Sequence, residues 1–177
     1  LALVLGTKGK PRVLINGAVH AREWISVELP YLLAEYLVLK YNDTPRDTEE
    51  RRIKHLLKNR EIWIVPMVNP DGHVHSVMND RSWRTHRNFP DHKGQITTGV
   101  VGLNRNFATD NWTSTDPARH TWGGPSEGSE PETKAMSKLI MEKKFSAHLV
   151  YHSSGCHLIS LKHTKPKVPA SKTLELE

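Results

Sequence analysis

The alternation of apolar and polar residues divides the chain into short strands and longer helices. An apolar run from Leu1 to Leu5 gives way to GTKGKP, and a second β-rich run, RVLINGAVH, follows from Arg12 to His20. Two such runs joined through a turn containing Gly and Pro predict adjacent strands. From Glu23 to about Tyr41 the period lengthens, and Ile25, Leu29, Leu32, Leu33, Tyr36 and Leu37 form a broad stripe that predicts a helix with this face buried. A shorter helix is expected from about Asp47 to Lys58. EIWIVPMV, Glu61 to Val68, reads as a strand that Pro66 bulges or ends, closed by a turn at NPDG, Asn69 to Gly72.

From Gly72 to Thr121 the sequence is irregular and polar, rich in Asn, Arg, His, Gly and Trp. A connection of that length on an α/β scaffold often carries function. Regular structure returns at SEPETKAMSKLIMEKK. Ser129 is the expected cap of this helix, with Pro131 in its first turn and Glu132 closing a capping box. AHLVYH, Ala147 to His152, predicts a short buried strand, and CHLISL, Cys156 to Leu161, a further extended piece. No internal repeat is present. Strands alternating with helices predict an α/β layer structure with helices packed on a sheet.

Composition narrows the function classes only slightly. The 177 residues suit one domain, and five Trp, four Tyr and three Phe argue against a disordered chain. No apolar run reaches the roughly 18 residues of a membrane span, so none is expected. The single cysteine, Cys156, forms no internal disulfide. The formal net charge of +6 reads as ordinary solubilising surface, and the densest basic stretch, Leu161 to Lys172, looks like an unstructured tail. A nucleic-acid footprint would need that charge concentrated beside aromatic or groove-reading elements, so no nucleic-acid partner is expected.

The chemistry-bearing residues fall at the predicted strand ends. In HAREW, His20 and Glu23 are three apart, a spacing that on a helical turn points an imidazole and a carboxylate to one place. His152 in VYHSSG also ends a strand. Two His and one Glu would leave a fourth metal position open, the arrangement of catalytic rather than structural zinc. Cys156 and His157 are rival ligands, and a core histidine is the alternative reading of His152. Arg81, Arg84 and Arg87 in NDRSWRTHRN and Arg105 in GLNRNF can bind carboxylates or an oxyanion, with Asn104 adding neutral donors. Solvated loop charge is the plain alternative for any one of them. Cationic loops beside a metal would suit hydrolysis of an anionic substrate.

HAREW, NPDG, RSWRTHRN, LNRNF, SEPET and YHSSG, in this order, resemble the zinc metallocarboxypeptidases of the funnelin type, similar to the carboxypeptidase A and carboxypeptidase T groups. The resemblance runs from about Leu1 to Leu161. It implies an α/β fold with a mixed parallel/antiparallel sheet flanked by helices, here expected to be cut at both ends. It implies a partial catalytic domain over 1–161, followed by a basic tail over 162–177. One zinc ion held by His20, Glu23 and His152 is implied, with Arg84 polarising the scissile carbonyl and Asn104 and Arg105 clamping the terminal carboxylate. Arg22, Arg81 and Ser153 match outer contacts to the peptide. The implied substrates are peptides or proteins with a free C-terminal carboxylate, and the implied complete enzyme is a secreted monomer. Two other classes remain beside this one: a non-catalytic module binding zinc and a C-terminal carboxylate, and a zinc deacylase of small acylated amino acids.

The sequence departs from the family pattern in two places. Gly102 stands in GVVGLNRNF where the family usually has an acidic residue supporting a zinc-ligating histidine. Losing such a partner would weaken metal affinity or activity about 10–100-fold, and Asp110 is the nearest downstream acid. The family's general-base glutamate, capping tyrosine and pocket floor come well after the third ligand. In the stretch 153–177, Glu175 and Glu177 match none of these.

Overall fold

A computed structural model describes residues 1–42, 44, 47–87, 100–108, 112 and 116–153. The strands are β1 (Leu3–Gly6), β2 (Arg12–Asn16), β3 (Glu61–Val65) and β4 (Ala147–Val150). The helices are α1 (Ile25–Asn42), α2 (Thr48–Asn59), α3 (Pro70–Met78) and α4 (Pro131–Lys143), with a 3-10 turn at Leu103–Arg105. CHLISL, with Cys156 and His157, falls outside the described residues, as do Asp110 and the 162–177 tail.

The sheet is mixed, as the resemblance implies, in the order β1-β3-β2-β4. β1 runs antiparallel to β3, whereas β2 runs parallel to both β3 and β4. The first two strands are therefore not neighbours, because β3 lies between them. The reason lies in β3 itself, which buries Ile62 and Ile64 on one face and Val65 and much of Trp63 on the other. A strand buried on both faces belongs in the interior of a sheet. The β1–β2 connection passes around its start. Thr7 N–H donates to Arg60 O at 2.9 Å, and the buried Glu61 carboxylate accepts from Gly9 N–H at 2.7 Å and Trp63 Nε1 at 2.9 Å. Gly6 permits this with φ 89°, and a Cβ there would lie 2.2 Å from Arg60 O.

Helices cover both faces. On one face Ile15, Ile62 and Ile64 pack against Ala34 and Leu37 of α1 and Ile53 and Leu57 of α2. On the other, Leu14, Val19, Val65, Val68 and Leu103 pack with Met136 of α4. Leu14 and Ile64, both at 0% exposure, anchor opposite sides of the sheet. Burial of each contributes roughly 1.5–3 kcal/mol.

Several expectations are corrected. The buried face of α1 is Ser26, Pro30, Ala34 and Leu37, with Leu33 half-buried, while Ile25, Leu29, Leu32 and Tyr36 are exposed. Small residues face the sheet because the chain approaches closely there: a Cβ on Gly17 would stand 1.7 Å from Ser26 O and 3.3 Å from Pro30 Cγ. NPDG starts α3 instead of closing a turn, with Asn69 Oδ1 accepting Gly72 N–H at 3.1 Å and Pro70 in the first turn. Ser129 does not cap α4. The Glu130 N–H donates to Asn106 Oδ1 at 3.1 Å, and Glu132 closes no box. β4 is exposed along its length and stops at Val150, since it pairs only with β2 among the described residues. α2 and the end of β3 before Pro66 match expectation closely.

Candidate metal centre and cationic loops

The turn after β2 is built to hold two side chains still. Ala18 is fully buried in the left-handed region at φ 52°. Its N–H donates to Ser26 Oγ at 3.0 Å, and that hydroxyl donates to Glu23 O at 2.6 Å. Asn69 N–H donates to Ala18 O, and Asn69 Nδ2 donates to Val19 O at 3.3 Å and Thr85 O at 3.1 Å. An i→i+3 turn closed by Glu23 N–H to His20 O at 3.2 Å then presents both side chains.

His20 Nδ1 lies 2.7 Å from Glu23 Oε1, and His152 Nδ1 lies 2.8 Å from Glu23 Oε2. Ser153 N–H donates to the same Oε2 at 3.2 Å. The two imidazole centroids are 4.7 Å apart, and one ligand atom from each of the three residues lies within 4.8 Å of the others. Burial alone would raise the Glu23 carboxyl, but hydrogen bonds from His152 and His20, and their charge, bring it down to about 2. Two imidazoles and a carboxylate held ionised suit zinc or a similar divalent ion. His20 Nε2 is buried and has no hydrogen-bond partner among the described residues. A metal-ligating histidine usually donates from its second nitrogen to a carboxylate or carbonyl, and no described residue accepts from this one. At Gly102 a Cβ would already crowd His120 O at 2.9 Å.

Cations surround this centre. Arg84 Nη1 stands 3.8 Å from Glu23 Oε1, and Ala21 N–H donates to Arg84 O at 3.0 Å, which ties the arginine's backbone to the metal-side turn. Burial lowers the Arg84 pKa, Glu23 opposes that, and the charges of Arg22 and Arg105 add to it. Arg22 and Arg105 therefore share its surroundings. Arg105 is exposed on the 3-10 turn beside the half-buried Asn104, and buried Leu103 anchors that turn. The Arg81 guanidinium lies 4.9 Å over the Trp24 ring, whose Nε1 donates to Ser76 Oγ at 2.9 Å. Arg87 instead meets the His75 ring, at 2.7 Å.

The zinc carboxypeptidase family model matches residues 4–175. The chain belongs to the zinc carboxypeptidase family. It is 37% identical over 142 residues to a metallocarboxypeptidase A-like protein of Trichophyton verrucosum, covering 76% of this chain and 30% of that protein. It is 33% identical over 165 residues to carboxypeptidase O of Bos taurus, covering 89% and 41%. The crystal structure of carboxypeptidase A from Helicoverpa armigera superposes with a TM-score of 0.72 at 29% identity, over 87% of this chain and 37% of that one. The chain thus spans between 30% and 41% of the length of these two curated relatives.

Of the residues expected in this zinc carboxypeptidase chain, His20, Glu23, His152 and Arg84 converge directly, and Ser153 joins through its backbone. Arg22 reaches Ser82 O at 3.4 Å, and Arg81 reaches the centre's flank only by way of Trp24. Sequence reasoning did not single out His86, Asn106 or Glu130, all of them buried. All three stand inside the family-like motifs, His86 in RSWRTHRN, Asn106 in LNRNF and Glu130 in SEPET. Nothing local distinguishes their inward direction.

Proposed function

We propose that this chain carries the zinc-binding and carboxylate-binding part of a metallocarboxypeptidase that hydrolyses the C-terminal peptide bond of peptides and proteins. The convergence of His20, Glu23 and His152 with Arg84 beside them carries the reading. His20, Glu23 and His152 would hold the zinc ion, whose chemistry there would be that of a Lewis acid that lowers the pKa of water. Arg84 orients the scissile carbonyl and balances negative charge developing on its oxygen. Asn104 and Arg105 take the substrate's terminal carboxylate, Arg105 as a planar fork suited to two parallel bonds. Arg22, Arg81 and the Ser153 segment line the approach of the chain before it. Both Glu23 oxygens face imidazoles, so no proton-transfer step is assigned to that carboxylate.

Equilibrium dialysis with zinc, followed by titration with an N-blocked dipeptide and with its C-terminal amide, tests the reading. One zinc per chain is expected, lost in His20→Ala. Binding of the free acid but not the amide is expected, lost in Arg105→Ala. Unchanged zinc content in His20→Ala, or equal binding of acid and amide, overturns it. No residue of 153–177 matches the family's general-base glutamate, so no release of amino acid by the zinc-loaded chain alone is expected, and appreciable release would overturn the reading of it as part of the enzyme.

A further inference from the structure

We infer that His86 is a positioning residue that sets the distance between the Arg84 segment and the Asn104–Arg105 turn. It lies two residues after Arg84 and is only 1% exposed. Its backbone N–H donates to Val101 O at 3.1 Å, and its ring Nδ1 stands 3.0 Å from the Val101 N–H, which donates to it. Its Nε2 stands 2.8 Å from Glu130 Oε2. Val101 lies just before the 3-10 turn that presents Asn104 and Arg105.

The same carboxylate-bearing residue grips the other end of that turn. Glu130 N–H donates to Asn106 Oδ1 at 3.1 Å. Asn106 Nδ2 donates to Gly123 O at 2.7 Å, Ser126 O at 3.0 Å and Ser129 Oγ at 2.8 Å. The turn is therefore held before and after by bonds that meet at Glu130, at the N-terminal end of α4. Through Arg84 O and Ala21 N–H the other arm reaches the turn bearing His20 and Glu23. One imidazole thus links the metal-side turn to the carboxylate-side turn. Directional bonds at both ring nitrogens fix this spacing in a way an apolar side chain of similar size does not. Burial would raise the Glu130 carboxyl, but hydrogen bonds from His86 and Ser129 outweigh it and keep the pKa below the ordinary value.

The inference rests on the proposed carboxylate clamp, so its test first establishes that clamp in the unaltered chain. The zinc-loaded protein is titrated with an N-blocked dipeptide and its amide, and zinc affinity is read separately by competition with a chromophoric chelator. In His86→Leu the preference for acid over amide is expected to fall about tenfold, with zinc affinity changing less than about twofold. His86→Gln, which offers one donor and one acceptor to the same partners, is expected to recover most of it. If His86→Leu does not fold, Glu130→Gln decides, with an expected fall of about threefold. An unchanged preference overturns the inference, as does zinc affinity falling in parallel, which would mark a purely structural role. No acid preference in the unaltered chain would defeat the clamp reading itself, and the inference with it.

Discussion

Glu23 Oε2 meets His152 Nδ1 at 2.8 Å across a separation of 129 residues. His20 and Glu23 come from one turn, but His152 arrives from the end of β4, whose placement depends on the parallel register of Val13 with Ala147 and Asn16 with Val150. The candidate metal centre is therefore a product of sheet assembly, and metal binding should be coupled to the stability of that assembly.

This coupling predicts that zinc at about a thousand times its dissociation constant stabilises the chain by about 4 kcal/mol. The urea midpoint with and without zinc measures it. His152→Ala is expected to lose most of the shift, and a shift of full size in that variant would remove His152 from the ligand set.

Ala18 holds a conformation that favours glycine, buried and at φ 52° just before His20. Left-handed backbone costs an alanine about 1–2 kcal/mol, against less than about 1 kcal/mol for the extra chain entropy of glycine. Ala18→Gly should therefore raise stability by about 0.5–1 kcal/mol without reducing zinc binding. Gly17→Ala should do the reverse, because its Cβ would stand 1.7 Å from Ser26 O. Calorimetric melting of both variants checks the pair, and a destabilised Ala18→Gly would show that the strain is relieved elsewhere.

What could be read in the sequence is what short-range chemistry specifies. Asp47 before TEERR marks the start of α2, and its Oδ1 does accept Glu50 N–H at 2.8 Å. His20 and Glu23 were legible for the same reason, being one turn apart. The position of β3 between β1 and β2 was not legible, because pairing is decided by burial on both faces and not by order along the chain. α3 was hidden because Asn-Pro-Asp-Gly opens a helix as readily as a turn, and because the apolar i, i+3, i+4 set of Val74, Val77 and Met78 is short, lies in a polar stretch and faces outward instead of into the core. The His86–Glu130–Asn106 contacts join segments that have no periodic relation.

Glu130 adds to the acid sensitivity, beside Glu23, Glu61 and Asp80, whose carboxyls are also held below their ordinary values. A carboxyl with a folded pKa below its ordinary value contributes stability that is present above the unfolded pKa and is lost as pH falls through the folded one. For Glu130 the loss begins below the ordinary value of 4.5. Glu130→Gln should remove that part of the acid slope while lowering stability near neutral pH. Urea midpoints of the metal-free protein from neutral to acid pH test this. Identical slopes in the two proteins would assign the acid sensitivity to other carboxylates.

The two faces of α1 give the sharpest contrast between pattern and structure. The helix is apolar all round, so periodicity favours the larger residues, yet Leu32 is 51% exposed and Ala34 is 4% exposed. Ala34 packs among Ile15, Leu37, Ile53, Ile62 and Ile64, where the helix crosses close to the sheet. Ala34→Leu should overpack that contact and cost about 1–3 kcal/mol. Leu32→Ala leaves no buried cavity and should change stability by no more than about 0.5 kcal/mol. Chemical denaturation of the two variants reads the difference directly. If Leu32→Ala is the costlier change, the side of α1 carrying Ile25, Leu29, Leu32 and Tyr36 is covered in solution, and the buried face expected from periodicity is restored.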